Sequence, residues 1–191
     1  MIATGKSSVL RLLAASGFSV APEPVERWTP FLEDAYAHDR GHVALQCRIM
    51  LDTCVACPRE DVVERCPFLQ PITFIPAMRL HGRISEAEET VLQELNARLL
   101  TWRPHGLIIL RSSLEEAKER IRKRARGCER GIDDAYLGIL HGRYERAIQV
   151  FRGYAHIVDT TNVPVEDVFL RVKSLLQTMG VSPTGCKGAG G

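Results

Sequence analysis

The sequence lacks the features that would place the protein in a membrane or carry it out of the cell. No apolar run in its 191 residues reaches the roughly 18–20 residues that a helix needs to cross a bilayer. A secretory signal peptide is not expected either, because the first residues already resemble a phosphate-binding loop. Internal repeats are also absent. No membrane partner is therefore expected.

A strong charge of one sign is missing as well. The chain has 25 Lys and Arg against 23 Asp and Glu, which leaves a formal charge of +2, and this balance points to no particular partner. With 45% hydrophobic and 25% charged residues, the composition is that of a globular protein. The length suits one domain with a full core. We predict a single domain over residues 1–181 and, because residues 182–191 contain four glycines and a proline, a disordered tail.

The six cysteines do not form a disulfide framework. Their spacing is irregular and the chain is too long for a disulfide-stapled mini-protein, so a reducing, intracellular compartment such as cytoplasm or mitochondrion is expected. Cys54 and Cys57 form the one closely spaced pair. No second Cys-x-x-Cys and no histidine at zinc-binding spacing accompanies it, so two helix-borne thiols are favoured over a redox or metal site.

Short apolar segments alternate with helical patterns along the chain. The predicted strands are Phe18–Ala21, Arg59–Glu64, Gly106–Leu110 and Ala155–Asp159. The predicted helices are 7–16, 85–102, 113–126, 133–154 and 165–179, of which the second and third open on the capping boxes Ser85-x-x-Glu88 and Ser113-x-x-Glu116. Strands without internal alternation are buried on both faces. The pattern therefore predicts an α/β fold with a largely parallel sheet flanked by helices.

The sequence opens on residues that suit phosphate binding. Thr4-Gly5-Lys6-Ser7-Ser8 matches the end of a Walker A loop, G-x-x-x-x-G-K-[ST]. A glycine lets backbone N–H groups curl around phosphates, a lysine reaches the β- and γ-phosphates, and a serine hydroxyl binds Mg²⁺. A helix that begins directly afterwards turns its positive end to the anion.

Part of this motif is absent. Its first glycine would lie one position before Met1, and the strand that normally leads into such a loop is not present. Without that strand, the neighbouring strands would lose hydrogen-bonding partners at about 1–3 kcal/mol for each buried group left unpaired. The sequence therefore leads us to expect that the native protein continues upstream, and that the chain as given is poorly stable and nearly inactive.

Three further segments follow in order. They are Glu23-Pro24-Val25-Glu26-Arg27-Trp28, Asp61-Val62-Val63-Glu64-Arg65-Cys66, and the basic run 120–126 that precedes Glu129 and Tyr136. Together with the Gly-Lys-Ser loop, they resemble the deoxynucleoside kinase family over residues 1 to about 160. The resemblance implies a P-loop kinase fold, with a lid rich in arginine, that phosphorylates the 5′-hydroxyl of a deoxynucleoside with ATP and Mg²⁺.

The resemblance also implies roles at the reacting end of the site. Glu23, at a strand end, would be the general base that accepts the 5′-hydroxyl proton. Glu64, with Ser7, would lie near Mg²⁺, and Arg65 near the 5′ end of the substrate. Cys66 stands where the family has a serine, which is a departure from its Glu-Arg-Ser pattern.

A second set of residues would form the nucleoside pocket by the same resemblance. Gln46 would read the base, since an amide carries a donor and an acceptor side by side. The others would wall the base or hold the sugar 3′-hydroxyl: Trp28, Phe74 and Met78 for the base, Tyr36 and Glu129 for the sugar. Ile49, Thr53 and Gln70 occupy positions that tune the base in the family, but they match no pattern that names it.

The basic run resembles the family's lid. Residues 118–130 contain seven Lys or Arg and two Glu, and arginine forks bind phosphate oxygens bidentately. Arg122, Arg124 and Arg126 are the predicted clamps, although their i, i+2, i+4 spacing prevents all three from sharing one helix face. A solvent-exposed basic face is the structural alternative.

Two other functions stay open from the sequence. A nucleoside monophosphate kinase also has a P-loop and an arginine-rich lid, but it needs arginines for the acceptor phosphate that the Glu23–Trp28 segment does not supply. A nucleic-acid-binding protein that uses the basic run would bind with steep salt dependence. The main interpretation implies a deoxynucleoside substrate, no nucleic acid and, by family resemblance, a homodimer.

Overall fold

The computed structural model describes residues 2–55, 57–129, 131–151 and 153–183. Among them are eight α-helices, which are, in chain order, α1 (Lys6–Ala15), α2 (Val25–Ala37), α3 (His42–Thr53), α4 (Phe74–Leu80), α5 (Glu86–Leu99), α6 (Leu114–Arg124), α7 (Asp134–Val150) and α8 (Val165–Thr178). The strands are β1 (Val20–Ala21), β2 (Val62–Val63), β3 (Leu107–Arg111) and β4 (Ala155–Asp159). Short 3₁₀ turns cover Gln70–Ile72 and Gly127–Glu129. The α/β fold with parallel strands is as predicted.

The strands form two parallel pairs, not one continuous sheet. β1 pairs with β2, with Val20 opposite Val62, and β3 pairs with β4, with Leu107 opposite Ala155. Parallel pairing brings the carboxyl ends of paired strands to the same edge. The residues that follow β1 and β2 therefore lie side by side, which is the arrangement that the candidate site needs.

Two groups of buried side chains hold these elements together. One lies between α1, α8 and the β3–β4 pair and includes Leu13, Leu110, Val158 and Val172. The other is the larger helical core, whose fully buried members include Trp28, Met50, Ile75, Leu92 and Tyr136. This second core forms the floor of the nucleoside end of the cavity described below.

Several local expectations need correction. Helices α2, α3 and α4 were not predicted, and α2 contains Pro30 in its interior. Strands β1 and β2 are two residues each, shorter than the predicted segments. Ser85 and Glu88 form the full capping box. At Ser113 only one half forms, because Glu116 instead accepts from Arg120 at 2.5 Å.

The cysteine pair is not helical. Cys54 follows the last residue of α3 and Cys57 lies in the loop beyond, so the expectation of two helix-borne thiols is wrong. The part of the chain that the structure describes contains no group of three or more His, Cys, Asp or Glu able to hold a metal ion. In those same residues no helix is long and apolar enough to cross a membrane. Of the predicted tail, residues 184–191 lie outside the described residues.

Candidate active site

A cavity of about 720 Å³ extends from the larger helical core past the phosphate-loop end of α1 and into an apolar space between α1, β3 and α8. In the polar part of the cavity, one end is lined by Lys6, Ser7, Glu23, Glu64 and Arg65. At the other end it is lined by Trp28, Tyr36, Gln46, Gln70, Phe74, Glu129 and Tyr144. Most of the residues predicted from the sequence therefore face one space.

The loop before α1 leads into the helix at Gly5. Gly5 is the N-cap of α1 with a φ of 90°, a left-handed conformation that glycine adopts without strain. The carbonyl of Gly5 accepts from the backbone N–H groups of Ser8 and Val9 at 3.1 and 3.0 Å. The Lys6 side chain is partly buried beside the Glu23 and Glu64 carboxylates. Burial lowers the pKa of the Lys6 ammonium, although Glu23 and Glu64 oppose that effect.

The serine of the loop contacts the carboxylate that follows β2. Ser7 Oγ donates to Glu64 Oε1 at 2.5 Å, and the other Glu64 oxygen accepts from the backbone N–H of Glu23 at 3.1 Å. The β1–β2 pairing places residues 23 and 64 beside each other, and the Glu64 carboxylate connects Glu23 to Ser7 of the phosphate loop. One hydroxyl and one carboxylate thus meet at the start of α1, which are oxygen ligands of the kind that Mg²⁺ prefers.

Glu23 and Arg65 form a partly buried ion pair. Arg65 Nε donates to Glu23 Oε1 at 2.7 Å, and the two side chains are 17% and 12% exposed. Burial alone would raise the pKa of Glu23, but the Arg65 guanidinium and the Lys6 ammonium outweigh it and lower the pKa to about 2. The Arg65 guanidinium also lies over two aromatic rings, 5.3 Å from the Trp28 centroid and 4.8 Å from that of Phe74.

The aromatic wall is held by hydrogen bonds and ring contacts. Trp28 Nε1 donates to Asp52 Oδ2 at 2.9 Å, and Phe74 meets Tyr144 edge-on at 5.9 Å between centroids. Asp52 also pairs with Arg48 at 2.5 Å, one turn away on α3. Burial raises the pKa of Tyr36 and of Tyr144 to about 12, so both phenols stay protonated and can donate.

Gln46 lies on the inner face of α3 and is 1% exposed. Its Nε2 is 3.3 Å from the Met78 sulfur, and its Oε1 accepts from Gln70 Nε2 at 2.7 Å. Met78 is fully buried in α4 and contacts the Gln46 amide through its sulfur. It does not itself line the cavity. Met78 thus lies next to Gln46, the predicted base-reading residue, but does not form part of the cavity wall where it was predicted to contact the base.

The lid arginines separate into two groups. Arg124 and Arg126 line the cavity and pair with Glu129, Arg124 through both carboxylate oxygens at 2.7 and 2.5 Å. Arg122 points away, with 69% of its side chain exposed and Asp134 at 3.8 Å. Ser8, which was predicted to bind the cofactor with the phosphate loop, does not line the cavity either. Its hydroxyl oxygen accepts a hydrogen bond from Arg11 at 3.3 Å. Arg130, the last residue of the basic run, lies outside the described residues.

Sequence reasoning missed several groups around the cavity. Asp52 orients Trp28, and Tyr144 supports Phe74. The side chain of Arg83 is only 6% exposed. Its guanidinium lies 5.8 Å from the ring centroid of Tyr36, which lines the cavity, and 4.6 Å from that of Tyr136. The i, i+4 spacing of Arg48 and Asp52 was a readable signal for an ion pair on α3. Nothing in the sequence connects that pair to Trp28, which lies 24 residues earlier.

The sequence is similar to known proteins of one family. A family model described as deoxynucleoside kinase matches residues 1–174. A putative deoxynucleoside kinase of Frog virus 3 (isolate Goorha) is 31% identical over 153 residues, covering 76% of this chain and 77% of the relative. A thymidine kinase of Ictalurid herpesvirus 1 (strain Auburn) is 30% identical over 165 residues, covering 75% and 69%.

The fold is also that of a solved structure. A structure of deoxyadenosine kinase from M. mycoides with bound dCTP superposes with a TM-score of 0.79 at 19% identity, covering 93% of this chain and 96% of that one. At this identity the likeness concerns the fold alone.

Proposed function

The chain belongs to the deoxynucleoside kinase family, whose members phosphorylate deoxynucleosides, and we propose that this protein transfers the γ-phosphate of ATP to the 5′-hydroxyl of its substrate with Glu23 as general base. One observation carries the proposal: the Ser7–Glu64 and Glu23–Arg65 pairs meet at one end of a cavity whose other end is lined by aromatic and amide side chains. Phosphate chemistry and nucleoside binding are thereby adjacent.

The phosphate end suits a triphosphate. Backbone N–H groups at the start of α1 and the partly buried Lys6 ammonium supply positive charge, which favours anions at a helix N-terminus. Ser7 and Glu64 would hold Mg²⁺, and a single carboxylate fits an ion that completes its shell with phosphate oxygens and water. When bound, Mg²⁺ neutralises charge on the β- and γ-phosphates.

The acceptor end depends on Glu23 and Arg65. An ionised Glu23 carboxylate can accept the proton of the 5′-hydroxyl as its oxygen attacks phosphorus. In the same step Arg65 holds the carboxylate in place through the 2.7 Å bond. With a pKa of about 2, Glu23 is a weak base. Proton transfer is therefore expected late in the step, when the hydroxyl has become acidic.

Arg124 and Arg126 are the lid residues best placed to clamp the transferring phosphoryl group. Both form ion pairs with Glu129. A nucleoside 3′-hydroxyl that donates to Glu129 would compete for that carboxylate and release arginine N–H groups toward phosphate. Sugar binding and closure of the lid would thus be coupled. A phosphate-clamping role for Arg122 requires movement of α6 and stays a prediction.

The nucleoside itself would lie between the aromatic walls, with Gln46 facing the base and Tyr36 and Glu129 facing the sugar. The family relationship also supports a homodimer in an intracellular compartment, for which the five described cysteines, all free thiols, are suitable. Neither the monophosphate kinase nor the nucleic-acid-binding alternative is favoured by any contact in the cavity.

A direct assay tests the proposed function. The purified protein is supplied with Mg-ATP and each of the four deoxynucleosides, and in parallel with their monophosphates, while ADP release is recorded. Phosphorylation of nucleosides, and its loss in Glu23→Gln, is expected. Turnover of monophosphates only would establish the alternative kinase, and salt-sensitive binding to oligonucleotides without turnover would establish the nucleic-acid-binding alternative.

A further inference from the structure

Gln70 is a polar side chain in the nucleoside end of the cavity that the proposed mechanism does not use. It opens the short 3₁₀ turn Gln70–Ile72, lines the cavity and is 1% exposed. A buried amide has two donors and two acceptor sites to satisfy. Any hydrogen-bonding position that this amide leaves unfilled therefore indicates a group that a ligand would supply.

The orientation of the Gln70 amide is set by a backbone group. Its Nε2 lies 3.5 Å from the main-chain carbonyl oxygen of Gln46 and 2.7 Å from Gln46 Oε1. A carbonyl can only accept, so the Gln70 atom facing it must be the nitrogen. The Gln46 atom facing that nitrogen must then be oxygen, which leaves Gln46 Nε2 toward the Met78 sulfur. The two amides cannot flip independently.

This arrangement leaves one oxygen without a partner. Gln70 Oε1 is buried and accepts no hydrogen bond from any described residue. A buried acceptor left unpaired destabilises a folded protein, and such groups in native structures call for an explanation such as a bound ligand. Gln46 Oε1, on the adjacent amide, has accepted one hydrogen bond and can accept a second. Because both residues line the cavity, two acceptor positions lie next to each other in the wall of its base end.

We propose that Gln70 selects the base: the site takes a deoxynucleoside whose base carries an exocyclic amino group on its pairing edge, cytosine or adenine, in preference to the counterpart with a keto oxygen there. An exocyclic amine has two N–H groups, and one can donate to Gln46 Oε1 while the other donates to Gln70 Oε1. A keto oxygen at that place would set acceptor against acceptor, leaving Gln70 Oε1 unpaired and Gln46 Oε1 with only the hydrogen bond that it accepts from Gln70. The inference rests on the proposed function, because it assumes that Gln46 faces the base.

Matched substrates test the proposal without changing the protein. Deoxycytidine is compared with deoxyuridine, and deoxyadenosine with deoxyinosine, since each pair exchanges an amino group for a keto group, together with the proton that the keto base carries on the neighbouring ring nitrogen. The amino member is expected to have the higher kcat/KM in both pairs, by about 10-fold or more, as for a buried hydrogen-bonding group left unpaired. Equal or reversed values would overturn the proposal.

A variant locates the effect at Gln70. Gln70→Met keeps length and apolar contacts but removes the amide, so the amino-to-keto ratio should fall toward one. Gln93→Met, the same replacement at an exposed position on α5, should leave the ratio unchanged. An unaltered ratio in a folded Gln70→Met protein would contradict the assignment. If that variant does not fold, the unaltered protein is assayed with the deoxyribosides of purine and 2-pyrimidinone, which lack the amino group. Their kcat/KM must then be lower than that of deoxyadenosine and deoxycytidine by the same factor.

Equilibrium binding separates this inference from the proposed function. Calorimetric titration of deoxycytidine and deoxyuridine needs no turnover. Tighter binding of deoxycytidine without phosphorylation would retain the base preference and reject the kinase assignment. Phosphorylation of both at equal kcat/KM would retain the kinase and reject the base preference. Binding of neither would reject both.

Discussion

Arg65 Nε donates to Glu23 Oε1 at 2.7 Å across two neighbouring parallel strands. The contact joins residues that are 42 positions apart in the sequence. It exists because β1 and β2 end at the same edge, so that residues 23 and 65 both follow a strand end. The same guanidinium lies over Trp28 and Phe74, which links the proposed base to the nucleoside wall.

Glu23→Gln should abolish most turnover while ATP still binds. The amide keeps the shape of the side chain but cannot accept the 5′-hydroxyl proton, so kcat should fall by about 10²–10⁴-fold, the usual range for general base catalysis. Steady-state kinetics and ATP titration measure the two effects. Unchanged turnover would show that another group takes the proton.

The acid stability of the fold should also depend on Glu23. Its pKa is lowered from 4.5 to about 2 in the folded chain, so the ion pair stabilises the protein above the unfolded pKa. That contribution should be lost as the pH falls from about 4.5 to about 2. Thermal unfolding across this range should show a steeper decline for the unaltered protein than for Glu23→Gln. Parallel curves would contradict the assigned pKa.

Gln46→Ala should raise KM for the nucleoside far more than KM for ATP. Gln46 lies at the end of the cavity remote from Lys6, and its amide is oriented by Met78 and Gln70. Initial-rate kinetics with each substrate varied in turn provide the comparison. An equal rise in both values would argue that Gln46 supports the structure and does not contact the base.

The strand ends and the phosphate loop could be predicted because their signals are local. Gly5-Lys6-Ser7 and the acids after two apolar segments are readable in sequence, and parallel pairing then brings Glu23 and Glu64 together. Helix α2 was not predictable in this way, since Pro30 lies in its interior and proline disfavours helix interiors. Burial of Trp28 and Tyr36 on one side of α2 overrides that local cost.

Side-chain direction within the lid is a tertiary property. Arg122, Arg124 and Arg126 are equivalent in composition, yet only the last two face the cavity. Arg122 and Arg124 both belong to α6 and lie about 200° apart around its axis, so helix geometry separates these two. The turn after α6, where Ala125 ends the helix in the left-handed conformation, redirects only the chain from Arg126 to Glu129. An alanine with positive φ is uncommon, so the redirection could not be read from the residue type.

Arg124→Ala should reduce kcat strongly, whereas Lys123→Ala should not. Arg124 lines the cavity, and clamping arginines in phosphoryl transfer contribute about 10³–10⁵-fold. Lys123 is 75% exposed and pairs with Glu119 on the same helix, so it controls for the loss of one positive charge from α6. Equal losses in both variants would mean that the run acts through its net charge.

Gly131→Ala should weaken both the fold and the nucleoside site. A Cβ at position 131 would overlap the carbonyl group of Tyr36 and lie 2.9 Å from the backbone nitrogen of Ala37. These atoms belong to the main chain and cannot rotate away. Either the end of α2 or the segment that follows Glu129 must therefore shift, at a cost of about 1–3 kcal/mol for overpacking.

The shift should be visible in activity as well as in stability. Tyr36 and Glu129, the two residues assigned to the sugar, lie on the two sides of this contact, so KM for the nucleoside should rise while KM for ATP changes little. Gly142→Ala is the matched control, because that helical glycine of α7 has open space around its Cα. It should instead stabilise the protein by about 0.5–1 kcal/mol. A Gly131→Ala protein whose melting temperature does not fall would show that the close approach of residue 131 to Tyr36 does not constrain the site.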